Sequence, residues 1–253
     1  MRRLFLFALL IGNTFAVSIS PKVAEEIGGK IWKNECGGTL EGLTHWNKNE
    51  NFPSLGIGHF IWYPAGKRDR FQEGFPPLLA FLKKERVNIP AWLQTAESCP
   101  WNTRDEFYAE INSPKMNQLR KFLYDTRNLQ AVFIANRLEK ALPQMIENLS
   151  PQDKEKITAT FNRLASDPKG LYALLDYVNF KGEGTSPSET YQGQGWGLLQ
   201  VLQAIPASSK NVVADFVESA KKVLSRRVQN APPEKHEERW LNGWSNRLET
   251  YQN

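Results

Sequence analysis

The period of the hydrophobic pattern changes just after residue 38, and that change limits what this chain can fold into. Val23, Ile27, Ile31 and Trp32 recur at the spacing of one helical face. Ser20 supplies a hydroxyl N-cap, Pro21 suits the first helical position, and Gly37-Gly38 is a stop. From Thr39 to Tyr63 the runs become short and β-like: Leu43 to Trp46, then Ser54 to Tyr63. The polar stretch Asn47 to Asn51 between them reads as a hairpin turn, and Pro64 and Gly66 close the section.

Beyond that point the pattern is helical. Leu78 to Val87 follows Pro76-Pro77, Thr103 opens a helix to about Ile111, and Ser113-Pro114 opens another to about Tyr124. Leu129 to Leu149 carries apolar residues at Val132, Ile134, Leu138, Leu142 and Ile146. Ser150-Pro151-Gln152-Asp153 has the form of a capping box. Further helices are expected over about 170–179, 195–204, 208–228 and 233–251, with a polar stretch at 181–193 and no linker. The fold class is α+β: one mostly helical domain over 19–253 with a small N-terminal β-hairpin or sheet of three strands or fewer.

Residues 1–18 stand apart. Arg2 and Arg3 precede the apolar run Leu4 to Ile11, and small residues follow at Ala16 and Ser18. This is the plan of a secretory signal peptide, with an apolar run too short to span a bilayer. The expected mature chain is therefore periplasmic or secreted, without stable membrane insertion. Export leaves Cys36 and Cys99 either bridged in an oxidising compartment or free. Neither has the neighbouring His pair of a zinc site. His45, His59 and His236 lack His-Glu-x-x-His spacing, and no Gly-x-Ser-x-Gly elbow is present. Lys and Arg are dispersed along the helices, which argues against nucleic acid as a partner.

Chemistry concentrates at the end of the first helix. A carboxylate there faces the negative end of the helix dipole, and burial beside Trp32 also opposes its charge, so a raised pKa is expected for Glu35. Such a group can hold a proton and give it to a leaving oxygen. The run from Glu35 to His59 resembles the phage-type lysozymes, within the lysozyme-like muramidase superfamily. In that family an N-terminal helix ends in the catalytic Glu and leads into a small β-hairpin bearing an Asp and then a Thr-Ile-Gly-Tyr/Ile-Gly-His signature. Ser54-Leu55-Gly56-Ile57-Gly58-His59 is similar to that signature, with Ser for Thr. Trp240-Leu-Asn-Gly243-Trp-Ser-Asn-Arg247-Leu-Glu249-Thr-Tyr251 resembles the family's closing helix. Asp176-Tyr-Val-Asn179-Phe-Lys-Gly182-Glu-Gly184 is more loosely similar to its Phe-Asn-x-Gly segment.

The resemblance implies a lysozyme-like fold in which Glu35 is the general acid and Ser54 helps position the attacking water or sugar. It gives His59 and the two glycines a structural part, shaping a strand beneath the cleft. One departure matters: eighteen residues lie between Glu35 and Ser54, more than in the family, and Asn47 falls closest to the Asp position. An amide cannot act as the second carboxylate, so Asn47 is expected to bind substrate, with Ser54, on the opposite face of the sugar. Either Glu50 in the turn supplies that carboxylate or there is none, with Glu41 as a third choice. Hydrolysis and lytic transglycosylation, in which one Glu serves as acid and then base, both stay open.

A second cluster, Tyr191-Gln192-Gly193-Gln194-Gly195-Trp196-Gly197, joins aromatic faces to amides. It reads either as a glycan-binding surface, using Tyr191, Gln192, Gln194 and Trp196, or as a glycine-rich turn with Trp196 as a core plug. The expected function is cleavage of the peptidoglycan backbone or a related polysaccharide by a monomer without cofactor or metal. The mild positive charge of the chain suits an anionic wall polymer. Rival readings are an inactive wall-binding or accessory protein on the same fold, and a glycosidase for chitin or chitosan.

Overall fold

A computed structural model of the chain describes residues 19–69 and 71–253; the expected signal peptide, 1–18, lies outside them. Its first helix, α1 (Pro21–Cys36), starts where the sequence directs. The Ser20 hydroxyl accepts the Val23 N–H, and Gly37 at φ 61° turns the chain out. Ala24, Ile27 and Ile31 form its buried face. Full burial of each Ile contributes about 1.5–3 kcal/mol. That face lies along α6 (Arg127–Ile146), the long central helix. Contact is close because Gly28 has no side chain: a Cβ there would sit 2.8 Å from the Arg127 carbonyl oxygen.

A 3-10 turn, Glu41–Leu43, leads into an antiparallel sheet of β1 (Thr44–His45), β2 (Ser54–Leu55) and β3 (Phe60–Ile61), in that spatial order. Thr44 pairs with Leu55 and His45 with Ser54; Leu55 also pairs with Phe60. The hydrophobic pattern predicts one β-like run over Ser54 to Tyr63. The chain instead folds back within it, because Gly56 adopts φ 70° and His59 φ 46°, which no strand can hold. His59 and its glycines therefore form a tight turn, and the region is two hairpins.

The helical body follows: α2 (Phe75–Lys84), α3 (Ala91–Gln94), α4 (Arg104–Ala109), α5 (Pro114–Asp125), α6, α7 (Pro151–Ala165) and α8 (Pro168–Lys181). Thr103, Ser113 and Ser150 all cap as read, each hydroxyl accepting a backbone N–H three residues on. A two-strand hairpin, β4 (Thr190–Tyr191) and β5 (Gln194–Gly195), precedes α9 (Leu198–Ala204) and α10 (Val212–Asn230). The last segment is not one helix over 233–251. Pro232-Pro233 and the left-handed His236 break it into two 3-10 turns before α11 (Leu241–Glu249) and a closing turn, Thr250–Gln252. Buried side chains run without interruption from Ile27 to Tyr251, so the sheet and the helices share one core. Among the described residues no helix is long and apolar enough to cross a membrane.

Cys36 and Cys99 are both free thiols in separate surroundings. Cys36 faces the Gly56 carbonyl, and Cys99 the Trp101 carbonyl beside a bridge to Pro64. Burial, with Glu35 adding to it at Cys36, pushes each thiol up to about 12. They are packing groups and not nucleophiles.

Candidate active site

Glu35 is the next-to-last residue of α1, and its side chain is only 11% exposed. Three distant elements converge on it. Asn179 of α8 donates its amide to Oε1 at 3.1 Å, and the Arg247 guanidinium of α11 donates to the same oxygen. His59 Nδ1 lies 3.6 Å from Oε2. Cation and donors thus gather at the end of α1, where the helix dipole favours positive charge.

Arg247 also grips Asp176, with Nε at 2.7 Å from Oδ2 and Nη2 at 2.9 Å from Oδ1. Asp176 is fully buried and further accepts from Tyr251 Oη at 2.6 Å and Asn34 Nδ2 at 3.3 Å. A buried carboxylate tolerates such a place only when its lone pairs are filled by a partner charge and further donors. Burial works against the charge of Arg247, but Asp176 and then Glu35 overcome it and raise its pKa. Burial and then Asp176 raise Tyr251 well above the ordinary tyrosine value, and push Tyr172 up to about 12. Tyr172 accepts the Asn34 amide at 2.7 Å and meets Thr250 at 3.0 Å, which ties the chain's last turn to α1.

The His59 turn is held from below by one buried polar side chain. Gln130 of α6, fully buried, accepts the Ile57 N–H at 2.9 Å and donates to the Leu123 carbonyl and the Thr126 hydroxyl. Gly56 must stay bare, since a Cβ would lie 2.4 Å from the Gln130 amide oxygen. Gly58 lies under the Phe60 ring, with 2.4 Å left for a Cβ. These glycines are structural, as the sequence reading had them, whereas His59 faces the Glu35 carboxyl directly.

A groove of about 770 Å³ opens beside this cluster between α6, α8, the 182–189 loop and the 71–72 segment. Its lining includes Phe71, Asn179, Glu183, Glu189, Tyr191 and Trp196. Two of the five expected substrate-binding residues, Tyr191 and Trp196, therefore lie on it, whereas Asn47 does not. Trp196 is largely buried, its ring 4.8 Å from that of Tyr191 and 4.1 Å from the Arg227 guanidinium. Arg227 pairs through two nitrogens with Glu237, which also accepts the Tyr191 hydroxyl at 2.9 Å. Gln192 and Gln194 are exposed on the β4–β5 hairpin and do not line the groove; Gln192 at φ 51° and Gly193 at φ 73° make its turn. Next to this wall, Lys181 sits 3.6 Å from the Trp244 ring and 4.0 Å from that of Phe180. Burial, reinforced by Arg227 and Arg247, lowers Lys181 to about 7.

The hairpin residues expected to act opposite Glu35 are elsewhere. Asn47 donates to Glu50 Oε2 at 3.0 Å and meets His45 Nε2 at 2.9 Å, while the Glu50 carbonyl accepts the Trp46 indole N–H. Asn47 and Glu50 line a second cavity of about 680 Å³, and Phe71 lines both. Ser54 joins the sheet through its backbone, between His45 and Ile61. Neither Glu50 nor Ser54 is among the groups that touch Glu35. Glu41 opens the 3-10 turn before β1. Among the described residues no group of three or more His, Cys, Asp or Glu could hold a metal ion.

The Asp176–Arg247 pair, the Asn179 amide and Glu183 on the groove carried no role in the sequence reading. Only the order of the three resembling segments hinted that they would meet. Compared with protein-family models, with curated proteins and with solved structures, the chain matches none.

Proposed function

We propose that this is an exported, lysozyme-like enzyme that cleaves the glycan backbone of peptidoglycan, with Glu35 as the acid. The observation that carries the reading is a convergence. The three segments that resemble the phage-type lysozymes supply Glu35 with His59, Asn179 with Asp176, and Arg247 with Tyr251. His59, Asn179 and Arg247 meet at the Glu35 carboxyl, Asp176 and Tyr251 stand behind Arg247, and Asn179 also lines the groove. Residues so far apart in sequence share no local reason to gather there.

In this reading Glu35 protonates the glycosidic oxygen as the C1–O bond breaks. Asn179 and Arg247 fix the carboxyl, and His59 stands on its other oxygen. The groove suits a sugar chain: Tyr191 and Trp196 offer apolar faces, and Asn179 and Ser186 offer hydrogen bonds. Phe71 joins this groove to the hairpin cavity, so a longer polymer could extend past Asn47 and Glu50.

One observation favours lytic transglycosylation as a second reading. The carboxyl nearest in the network, Asp176, is sealed from solvent and fully bonded, and cannot act on the far face of a sugar. A lone Glu35 acting first as acid and then as base would let the sugar's own 6-hydroxyl close an anhydro ring.

Mass spectrometry of products from purified mature protein and peptidoglycan tests the reading. Soluble muropeptides with reducing ends support hydrolysis, and anhydro ends support transglycosylation. Binding without release of fragments would favour an accessory protein, and cleavage of chitin or chitosan alone a different glycosidase.

A further inference from the structure

The groove contains a carboxylate that the chain has positioned and left without a partner. Glu183 sits between Gly182 at φ 78° and Gly184 at φ 85°, two residues whose conformation excludes ordinary side chains. The backbone around it is fixed onto the start of α9. The Gly182 and Glu183 carbonyls accept the Leu198 and Leu199 N–H groups, both at 3.0 Å, and the Gly184 carbonyl accepts the Gln200 amide, also at 3.0 Å. A Cβ on Gly184 would lie 2.2 Å from that Gln200 side chain, and one on Gly197 would lie 2.2 Å from the Gly184 nitrogen. Two bare strands of backbone therefore meet face to face, and the turn has little freedom to move.

From this fixed turn the Glu183 side chain lines the same groove as Asn179, whose amide holds Glu35. Among the described residues it makes no hydrogen bond or ion pair. Other carboxylates nearby are differently disposed: Asp176 is sealed, and Glu50 is bonded to Asn47 in the other cavity. Glu189 also lines the groove, but from a loop held by the local Glu189 N–H to Ser186 contact, with no comparable backbone lock. A catalytic group needs a fixed backbone and a free functional end. Glu183 has both.

Resting on the glycan-cleaving reading, we propose that Glu183, and not a hairpin residue, is the second carboxylate of the reaction, acting as the base for the attacking water. Glu35 gives its proton to the leaving glycosidic oxygen while the C1–O bond breaks. Glu183 takes a proton from water as the water oxygen bonds to C1. One water is consumed, a reducing end forms, and exchange with solvent returns both carboxyls to their starting states.

The test uses steady-state kinetics on peptidoglycan and product analysis for the wild type, Glu183→Gln and Glu183→Ala. The expected result is a fall in kcat of about 100-fold or more for Glu183→Gln with KM within about threefold. Azide, which attacks C1 without needing a base, should restore turnover of Glu183→Ala and give a glycosyl azide. A purely structural role would not produce that product. Near-wild-type kcat in Glu183→Gln, failure of azide to restore a folded Glu183→Ala, or anhydro ends as the wild-type product each overturn the proposal. The last of these leaves Glu35 as the acid intact. Inactivity of the wild type on peptidoglycan removes both.

Discussion

Around Asp176 the bonded groups come from positions as far as 142 residues away, whereas at the hairpin tip the side chains of Asn47 and Glu50 bond to neighbours within five residues. Both clusters are polar and both border cavities. The tip can form whenever β1 and β2 pair, and it faces water. The buried cluster exists only when α1, α8 and α11 are all in place, and it has no water to replace a lost partner. An energetic asymmetry follows: removing a group from the buried cluster strands a charge, while removing one from the tip exchanges a protein bond for a water bond.

The largest stability effect should come from Arg247→Met, which leaves Asp176 buried and uncompensated. Urea denaturation should register a loss of about 3–5 kcal/mol. A loss under about 1 kcal/mol would mean that the two clusters are energetically alike. Next is Gly56→Ala, which combines a positive φ with a Cβ 2.4 Å from the Gln130 amide oxygen. It should cost about 2–3 kcal/mol and also reduce activity, because the turn carries His59 to Glu35.

Lys181 gives a smaller effect with a definite sign. Unfolded, it titrates near its ordinary 10.5; folded, near 7. Between pH 7 and 9 the unfolded chain therefore binds the additional proton, and stability should rise with pH by at most ~1.4 kcal/mol per pH unit from this group. Lys181→Met should flatten that slope in melts recorded across the window. An unchanged slope would assign it elsewhere. Least affected should be Glu50→Gln at the tip, with a stability change of about 0.5 kcal/mol or less and turnover within about twofold. A large loss of turnover there would return the second carboxylate to the hairpin.

The same asymmetry explains what the sequence disclosed. Helix starts were legible because a capping hydroxyl and a first-turn proline act over three residues, as at Ser20, Ser113 and Ser150. The position of Glu35 followed from the helix stop at Gly37. The turn at Gly56 to His59 was hidden within a β-like pattern, because the signal was a glycine's sign of φ and not hydrophobicity. Gln130 looked like any polar residue on a helix, yet it is fully buried beneath that turn. The partnership of Asp176 with Arg247 leaves no trace in local spacing, and only the family-like order of segments pointed toward it. Tyr191 and Trp196, singled out by their aromatic character, line the groove. Gln192 and Gln194 were not separable from them by residue type, yet Gln192 lies in the two-residue turn and Gln194 on β5, both exposed.

Glu35→Gln bears most directly on the central claim, because it removes the transferable proton while keeping the size and one acceptor of the side chain. Release of soluble muropeptides from peptidoglycan by this variant, measured beside its urea denaturation curve, is the decisive comparison. The account expects turnover to fall by about 1,000-fold or more, within the reach of lost acid catalysis, with stability changed by about 1 kcal/mol or less. A folded Glu35→Gln protein that cuts the glycan at a near-normal rate would contradict it.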